Sequence, residues 1–286
     1  MKRRRYPAVA GYFYEADREQ LIKRIEWSYN HPLGVGKLPV RDAPRDRRAR
    51  LFIAPHAGYM YSGPVASHTY YHISLSGNPG TFIIAGPNHS GIGSMVATVI
   101  DYIWETPLGE VEVDSELAKA IARNSSFLDI DDIPHENEHS IEVQIPFLQH
   151  IFGSSFKIVP IAMAMQTIEA ARDLANAIAK AVETLGRDVI YIASTDWSHY
   201  EPHEPTVKKD LEALSYVERL DPEGFYRYII ERNVTACGPG PTMVFIYLAK
   251  IWGYKRARIF KYATSGDVTG EKAWVVGYAS ATAVYE

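Results

Sequence analysis

This chain of 286 residues predicts an α/β fold: one layered domain, residues 1–286, with a central mixed sheet flanked by helices. Short apolar runs alternate with helical patterns along most of its length, as strand–helix–strand units do. Two of these runs, Leu51–Ala54 and residues 81–85, break at proline and glycine and then deliver a histidine, His56 and His89. The two histidines are 33 residues apart, enough for a crossover of roughly a dozen residues or more between parallel strands. Both imidazoles then reach the carboxyl rim of the sheet, where open α/β folds bind ligands. A composition that is 47% hydrophobic supplies a large core.

Taken in order, residues 7–14, Pro-Ala-Val-Ala-Gly-Tyr-Phe-Tyr, read as an extended aromatic segment. A helix is expected over residues 17–29, with Leu21, Ile22, Ile25 and Tyr29 on its apolar face and Trp27 off it. Residues 31–49, rich in Pro, Gly and Arg, form a surface loop. The crossover helix spans 62–73 and the second strand 81–85. A third strand follows at 95–100, then a helix at 115–124 capped by Asp114. The polar stretch from Asp129 to His139 is a loop that runs into a helix opened by Ser140. Residues 156–163 are a strand, 167–185 a long amphipathic helix, and 189–193 a strand that ends in Ser194-Thr-Asp-Trp-Ser-His-Tyr. Helices follow at 207–218 and 222–232, the second with Asp221 as N-cap and Pro222 at its first position. Thr235-Ala-Cys-Gly-Pro-Gly-Pro leads into a helix at 242–251, and strands at 258–263 and 274–284 close the chain.

The formal net charge is -4 and no long basic block occurs, which argues against a nucleic-acid partner. No signal-peptide core and no run of about 18 apolar residues is present, so the expectation is a cytoplasmic chain with no membrane partner. Cys237 is the one cysteine, which excludes an intrachain disulfide and suits a small buried hydrophobe. Nineteen tyrosines and five tryptophans serve core and interface alike, so a homo-oligomer stays open.

His56, His89 and Cys237 are the candidate metal ligands. Imidazole and thiolate suit iron, copper or zinc and not magnesium or calcium. Cys237 precedes a Gly-Pro-Gly-Pro turn that opens a helix, a position expected to lower its thiol pKa. The competing reading is two satisfied rim histidines and an inert cysteine. Asp196 and His199, again at a strand's carboxyl end, suit a general base or an acid that orients a ligand histidine. Against this stands a structural aspartate capping the turn, with His199 on the surface. His139 and Glu142, three apart at a helix start, are expected to project into the same cleft, with a capping role for Glu138 or Glu142 as the alternative. His31, His68, His72, His150 and His203 lack the strand-end setting and read as fillers, while His135 lies in the acidic loop beside His139.

Several of these stretches, together with Pro7-Ala-Val-Ala-Gly-Tyr-Phe-Tyr, Ala54-Pro-His-Ala-Gly-Tyr, Gly86-Pro-Asn-His, Thr106-Pro-Leu-Gly, Glu138-His-Ser-Ile-Glu-Val-Gln-Ile-Pro-Phe-Leu and Thr235-Ala-Cys-Gly, resemble the motifs of the Memo (mediator of cell motility) family. Its bacterial and archaeal members are called AmmeMemoRadiSam system protein B. The resemblance spans nearly the whole chain in order. It implies a fold like that of class III nonhaem-iron extradiol dioxygenases, in which two histidines and a glutamate hold Fe(II) and a further histidine is the acid/base. By motif, His56 and His89 match the ligand histidines and His199 the acid/base. Cys237 stands in the place of the glutamate. A thiolate is softer and more easily oxidised than a carboxylate, which argues against ring cleavage and leaves metal binding. Animal members are associated with iron or copper, redox activity and phosphotyrosine peptides. The function expected is metal-dependent redox or oxygen chemistry on a small, aromatic-type substrate, with iron as the first metal and copper or zinc as alternatives. Two other classes remain: a non-catalytic protein that uses the cleft for a peptide, metabolite or protein partner, and a cysteine nucleophile served by His199 and Asp196.

Overall fold

The computed structural model describes residues 2–286. Its strands are β1 (Arg3–Arg5), β2 (Leu51–Ala54), β3 (Thr81–Pro87), β4 (Val96–Thr98), β5 (Tyr102–Thr106), β6 (Gly109–Val113), β7 (Leu128–Ile130), β8 (Lys157–Met163), β9 (Val189–Ser194), β10 (His199–Glu201), β11 (Arg256–Thr264) and β12 (Val275–Val284). They form a mixed sheet in the order β1-β5-β6-β8-β3-β9-β2-β12-β10, with β11 on β12 and β4 carrying β7 beside β8. The centre, β8-β3-β9-β2, is parallel. β12 closes one side antiparallel to β2, and the β5–β6 hairpin continues the other.

Central strands are apolar on both faces because helices cover both. Phe52, Phe82, Ile84, Ile190 and Ile192 face α1 (Arg18–Asn30), α2 (Tyr59–Ser76) and α4 (Ile145–Phe152). Ile53, Ile83, Ala85, Tyr191 and Ala193 face α3 (Ser115–Asn124), α5 (Ile168–Leu185), α6 (His203–Glu218), α7 (Pro222–Glu231) and α8 (Pro239–Ile251). A short α9 (Ser265–Thr269) precedes β12. Large central α/β sheets buried on both faces read as continuous hydrophobic runs, as these strands do.

Side-chain caps set the helix starts. Asp17, Asp114, Thr167 and Asp221 each accept a hydrogen bond from a backbone N–H three residues on. Two expectations fail nearby. Residues 7–14 are not extended: Tyr12 and Phe13 both donate to the Val9 carbonyl, and Ala10 bridges Tyr14. Ser140 caps no helix, because a 3-10 turn at Glu142–Gln144 intervenes before α4, whose N-cap is Gln144. The Ser140 hydroxyl donates instead to the Pro87 carbonyl at 3.0 Å.

Register places the site. β9 lies between β2 and β3, pairing Ala54 with Ser194 and Ala85 with Ala193. The chain segments that leave these strands therefore carry His56 and His89 to either side of the β9 terminus, on the rim that the sequence pattern predicts.

Candidate metal centre

His56 follows β2 and is buried, with its backbone N–H donating to Asp196 Oδ1 at 2.8 Å. Its ring Nδ1 lies 2.8 Å from Ser194 Oγ. That hydroxyl spends its proton on the Ser140 carbonyl at 2.6 Å and accepts from Gln144 Nε2 at 2.8 Å. Ser194 is thus an acceptor toward His56, so Nδ1 carries the ring proton and Nε2 is a bare lone pair. Burial, then the adjacent His139 and His89, push the His56 pKa well below its ordinary value, which keeps the ring neutral.

His89 is fixed by a carboxylate. Glu138 accepts from the His89 backbone N–H at 2.7 Å, from its Nδ1 at 2.9 Å and from the Ser140 N–H at 2.7 Å. Burial alone would raise the Glu138 pKa, but these donors outweigh it and bring it to about 2. A carboxylate on Nδ1 leaves Nε2 free, the arrangement that orients metal-ligating histidines. His139 stacks on His89 with ring centroids 4.5 Å apart and planes 16° from parallel, and Phe13 packs on it at 4.6 Å. Burial pushes the His139 pKa down to about 4. One ring nitrogen from each of His56, His89 and His139 lies within 4.8 Å of the other two. Among the described residues this is the one group of three or more histidine, cysteine or acidic side chains brought so close.

The loop reaches this position because Gly86 has no side chain: a Cβ there would sit 2.3 Å from Ser140 Oγ. On the opposite side, a Cβ at Gly238 would meet Thr195 Cβ at 2.7 Å, so glycine lets the Cys237 turn approach the end of β9. Cys237 Sγ lies 3.1 Å from His56 Nε2 and accepts from the Asp196 N–H at 3.1 Å. Burial, reinforced by the Asp196 carboxylate, pushes its thiol pKa well up. The lowering expected from the start of α8 at Pro239 is not seen, burial being the largest influence on this thiol. Together with Asp196 and His199 these groups line a cleft of about 440 Å³.

The Memo family model, described as Memo-like protein, matches residues 5–282. The chain belongs to the Memo family. A MEMO1 family protein of Sulfolobus acidocaldarius is 51% identical over 278 residues, covering 96% of this chain and 98% of that protein. Another from Ignicoccus hospitalis is 50% identical over 276 residues, covering 96% and 97%. Among solved structures, an uncharacterized protein of Escherichia coli K12, JW3007, is similar at 11% identity with a TM-score of 0.48, covering 82% of this chain and 99% of that one.

In this Memo-family chain, the sequence-predicted residues separate into those that meet and one that does not. His56, His89, His139, Asp196, His199 and Cys237 share the cleft. His199 Nδ1 lies 2.8 Å from the Thr235 carbonyl, which can only accept, so its Nε2 is bare. Asp196 holds the backbone of His56 rather than a ring, and burial raises its pKa to about 6. Glu142 does not join them. It is fully buried on the far side of the loop, paired with Arg5 at 2.7 Å and accepting from Tyr14 OH and the Ala8 and Val9 N–H groups. The i, i+3 argument fails because His139 precedes the 3-10 turn, so the two side chains leave on opposite sides. Glu138, read only as a cap, is the residue that orients His89; an acid beside a histidine in a polar loop was its one sequence signal. His139 stands with the strand-end histidines as a third imidazole, and Cys237 borders the group.

Proposed function

We propose that the cleft binds one divalent transition metal, with iron favoured over copper or zinc, and carries out redox or oxygen chemistry on a small substrate. The observation that supports this reading is the convergence of His56, His89 and His139, two of them with ring protons committed elsewhere. Three imidazoles beside a thiol fit first-row transition metals and not oxygen-seeking magnesium or calcium. Cys237 borders the three histidines, with Sγ 3.1 Å from His56 Nε2, and joins as a fourth donor once it moves to within about 2.3 Å of the ion. The metal when bound supplies Lewis acidity and one-electron chemistry.

The chain's own residues supply the rest. Glu138 and Ser194 hold His89 and His56 in the tautomers that leave Nε2 free. His199 offers its bare Nε2 to the cleft and takes or returns a substrate proton there. Phe13 and Tyr200 on the cleft wall offer flat surfaces to a planar substrate.

Metal analysis of anaerobically purified protein tests this. The expected result is one iron per chain, lost in His56→Ala, weakened about tenfold or more in Cys237→Ala, and retained in a turnover-dead His199→Ala. A metal-free native protein with an intact cleft would turn the reading to a non-catalytic binding protein.

A further inference from the structure

Among the described residues, five other than glycine hold a positive φ: Asp42, Asp101, Tyr200, Leu220 and Asn233. Aspartate and asparagine enter this left-handed region readily, because their short polar side chains bond locally. Tyr200, at 57°, and Leu220, at 56°, are the costly pair. Leu220, in the turn between α6 and α7, is buried in the core, and that burial offsets its strain. Tyr200 is 69% exposed, so its ring gives the fold no such return.

The fold nonetheless fixes Tyr200 firmly. His199 pairs with Val276 and Glu201 with Val275, which leaves Tyr200 as the extra residue of a bulge in β10. A left-handed bulge position is ordinarily filled by glycine. Both flanks are anchored. The Thr235 hydroxyl accepts from the His199 backbone N–H at 2.7 Å, and the Thr235 carbonyl accepts from His199 Nδ1 at 2.8 Å. On the other flank, Lys209 Nζ donates to the two Glu201 carboxylate oxygens at 2.6 and 2.7 Å. Bulges next to sites re-aim a side chain. This one sets the Tyr200 ring on the cleft wall beside His199, with ring centroids 5.7 Å apart and planes at 63°.

We infer that Tyr200 is the specificity-determining residue of the cleft, its ring stacking on the substrate so that planar, unsaturated bodies are selected over puckered ones. The inference rests on the proposed reading of the cleft as a substrate site, and stacking itself needs no metal. Backbone strain held in place by anchored neighbours is characteristic of ligand clamps. Aromatic pairs attract beyond the area they bury, and a saturated ring of the same size lacks that term.

The test is an NMR titration of the full chain with benzyl alcohol and with cyclohexylmethanol, which share a hydroxymethyl group and differ in the planarity of the ring. Benzyl alcohol should bind about two- to tenfold more tightly. Tyr200→Gly should abolish that preference and leave the metal content of the histidine cleft unchanged. It should also raise the melting temperature by about 1–3 °C, since glycine takes a left-handed backbone without strain. Tyr200→Phe should keep both the preference and the native melting temperature. A lower melting temperature in Tyr200→Gly would make Tyr200 a structural residue and overturn the assignment. So would equal binding of the two alcohols by the native protein, a preference that survives in Tyr200→Gly, or one that Tyr200→Phe loses. A metal-free native protein that shows the preference, and loses it in Tyr200→Gly, would sink the metal reading and uphold this one.

Discussion

Glu142 braces the loop wall of the histidine cleft and Asp210 braces the β9–β10 turn, and only Glu142 has a guanidinium beside it. Around Glu142, Arg5 also donates to the His135 carbonyl and to the Glu138 carbonyl, each at 2.6 Å, so one buried side chain ties three points of the loop. Asp210 accepts from the Ser198 N–H and hydroxyl and from Tyr262 OH, while its neighbour Lys209 pairs with Glu201. The loop wall has little sheet to define it and depends on an ion pair. The strand wall inherits its geometry from register and needs only neutral donors.

The largest effect should come from Arg5→Met, which leaves Glu142 charged and unpaired in the core. Breaking a buried pair this way costs about 3–5 kcal/mol. Urea unfolding measures it, and a loss under about 1 kcal/mol, the range of an exposed pair, would dissolve the contrast between the walls.

Asp210 should reveal itself through pH. Burial raises its pKa from 3.8 to about 6, so the folded chain holds this proton more tightly than the unfolded one. Its stabilising contribution is complete below about pH 4 and is lost as pH rises through about 6, on the order of 3 kcal/mol by linkage. Asp210→Asn, which keeps an acceptor for Ser198, should gain on the native protein across that interval in thermal melts at pH 4 to 7. Parallel stability curves for the two proteins would show that Asp210 ionises freely.

Glu138→Gln is a smaller perturbation, since it keeps the shape and removes the charge behind His89. Fe(II) affinity should fall about 10- to 100-fold with little change in melting temperature. Unchanged affinity would mean that His89 is not a ligand. Ser194→Ala should cost about 1–3 kcal/mol, by stranding His56 Nδ1 and taking one of the acceptors from Gln144 Nε2. A cost above that of Arg5→Met would reverse the ranking of the two walls.

Much of the strand wall was legible before any coordinates. β2, β3 and β9 are uninterrupted apolar runs, and each is followed by the residues it delivers to the rim: His56, His89 and Asp196. Helix starts at Asp114 and Asp221 were legible for a local reason, a side chain reaching three residues ahead. The loop wall was not. Arg3–Arg5 reads as a basic cluster, yet it is a strand on β5 whose arginines find Asp132, Glu105, Glu110 and Glu142 about a hundred residues away or more. The β5–β6 hairpin escaped notice because alternate positions carry Glu105, Glu110 and Glu112, which soften the apolar pattern of a half-exposed sheet. His139 lines the cleft while Glu142 does not, since a 3-10 turn stands where a helix was expected.

The β1 strand also sets the order in which the molecule can be assembled. Arg5 emerges early, but its partners on the loop wall lie 130 to 137 residues further along. Ser194, which orients His56, comes later, and Cys237 lies 181 residues beyond His56. Contacts of such sequence separation close slowly, because loop entropy is lost before any of them forms. The three histidines are all synthesised well before β9 and the Cys237 turn exist to hold them. On the proposed metal reading, capture with native geometry is therefore a late event, after the central strand β9 has slotted between β2 and β3, and premature ions would meet only a flexible set of imidazoles.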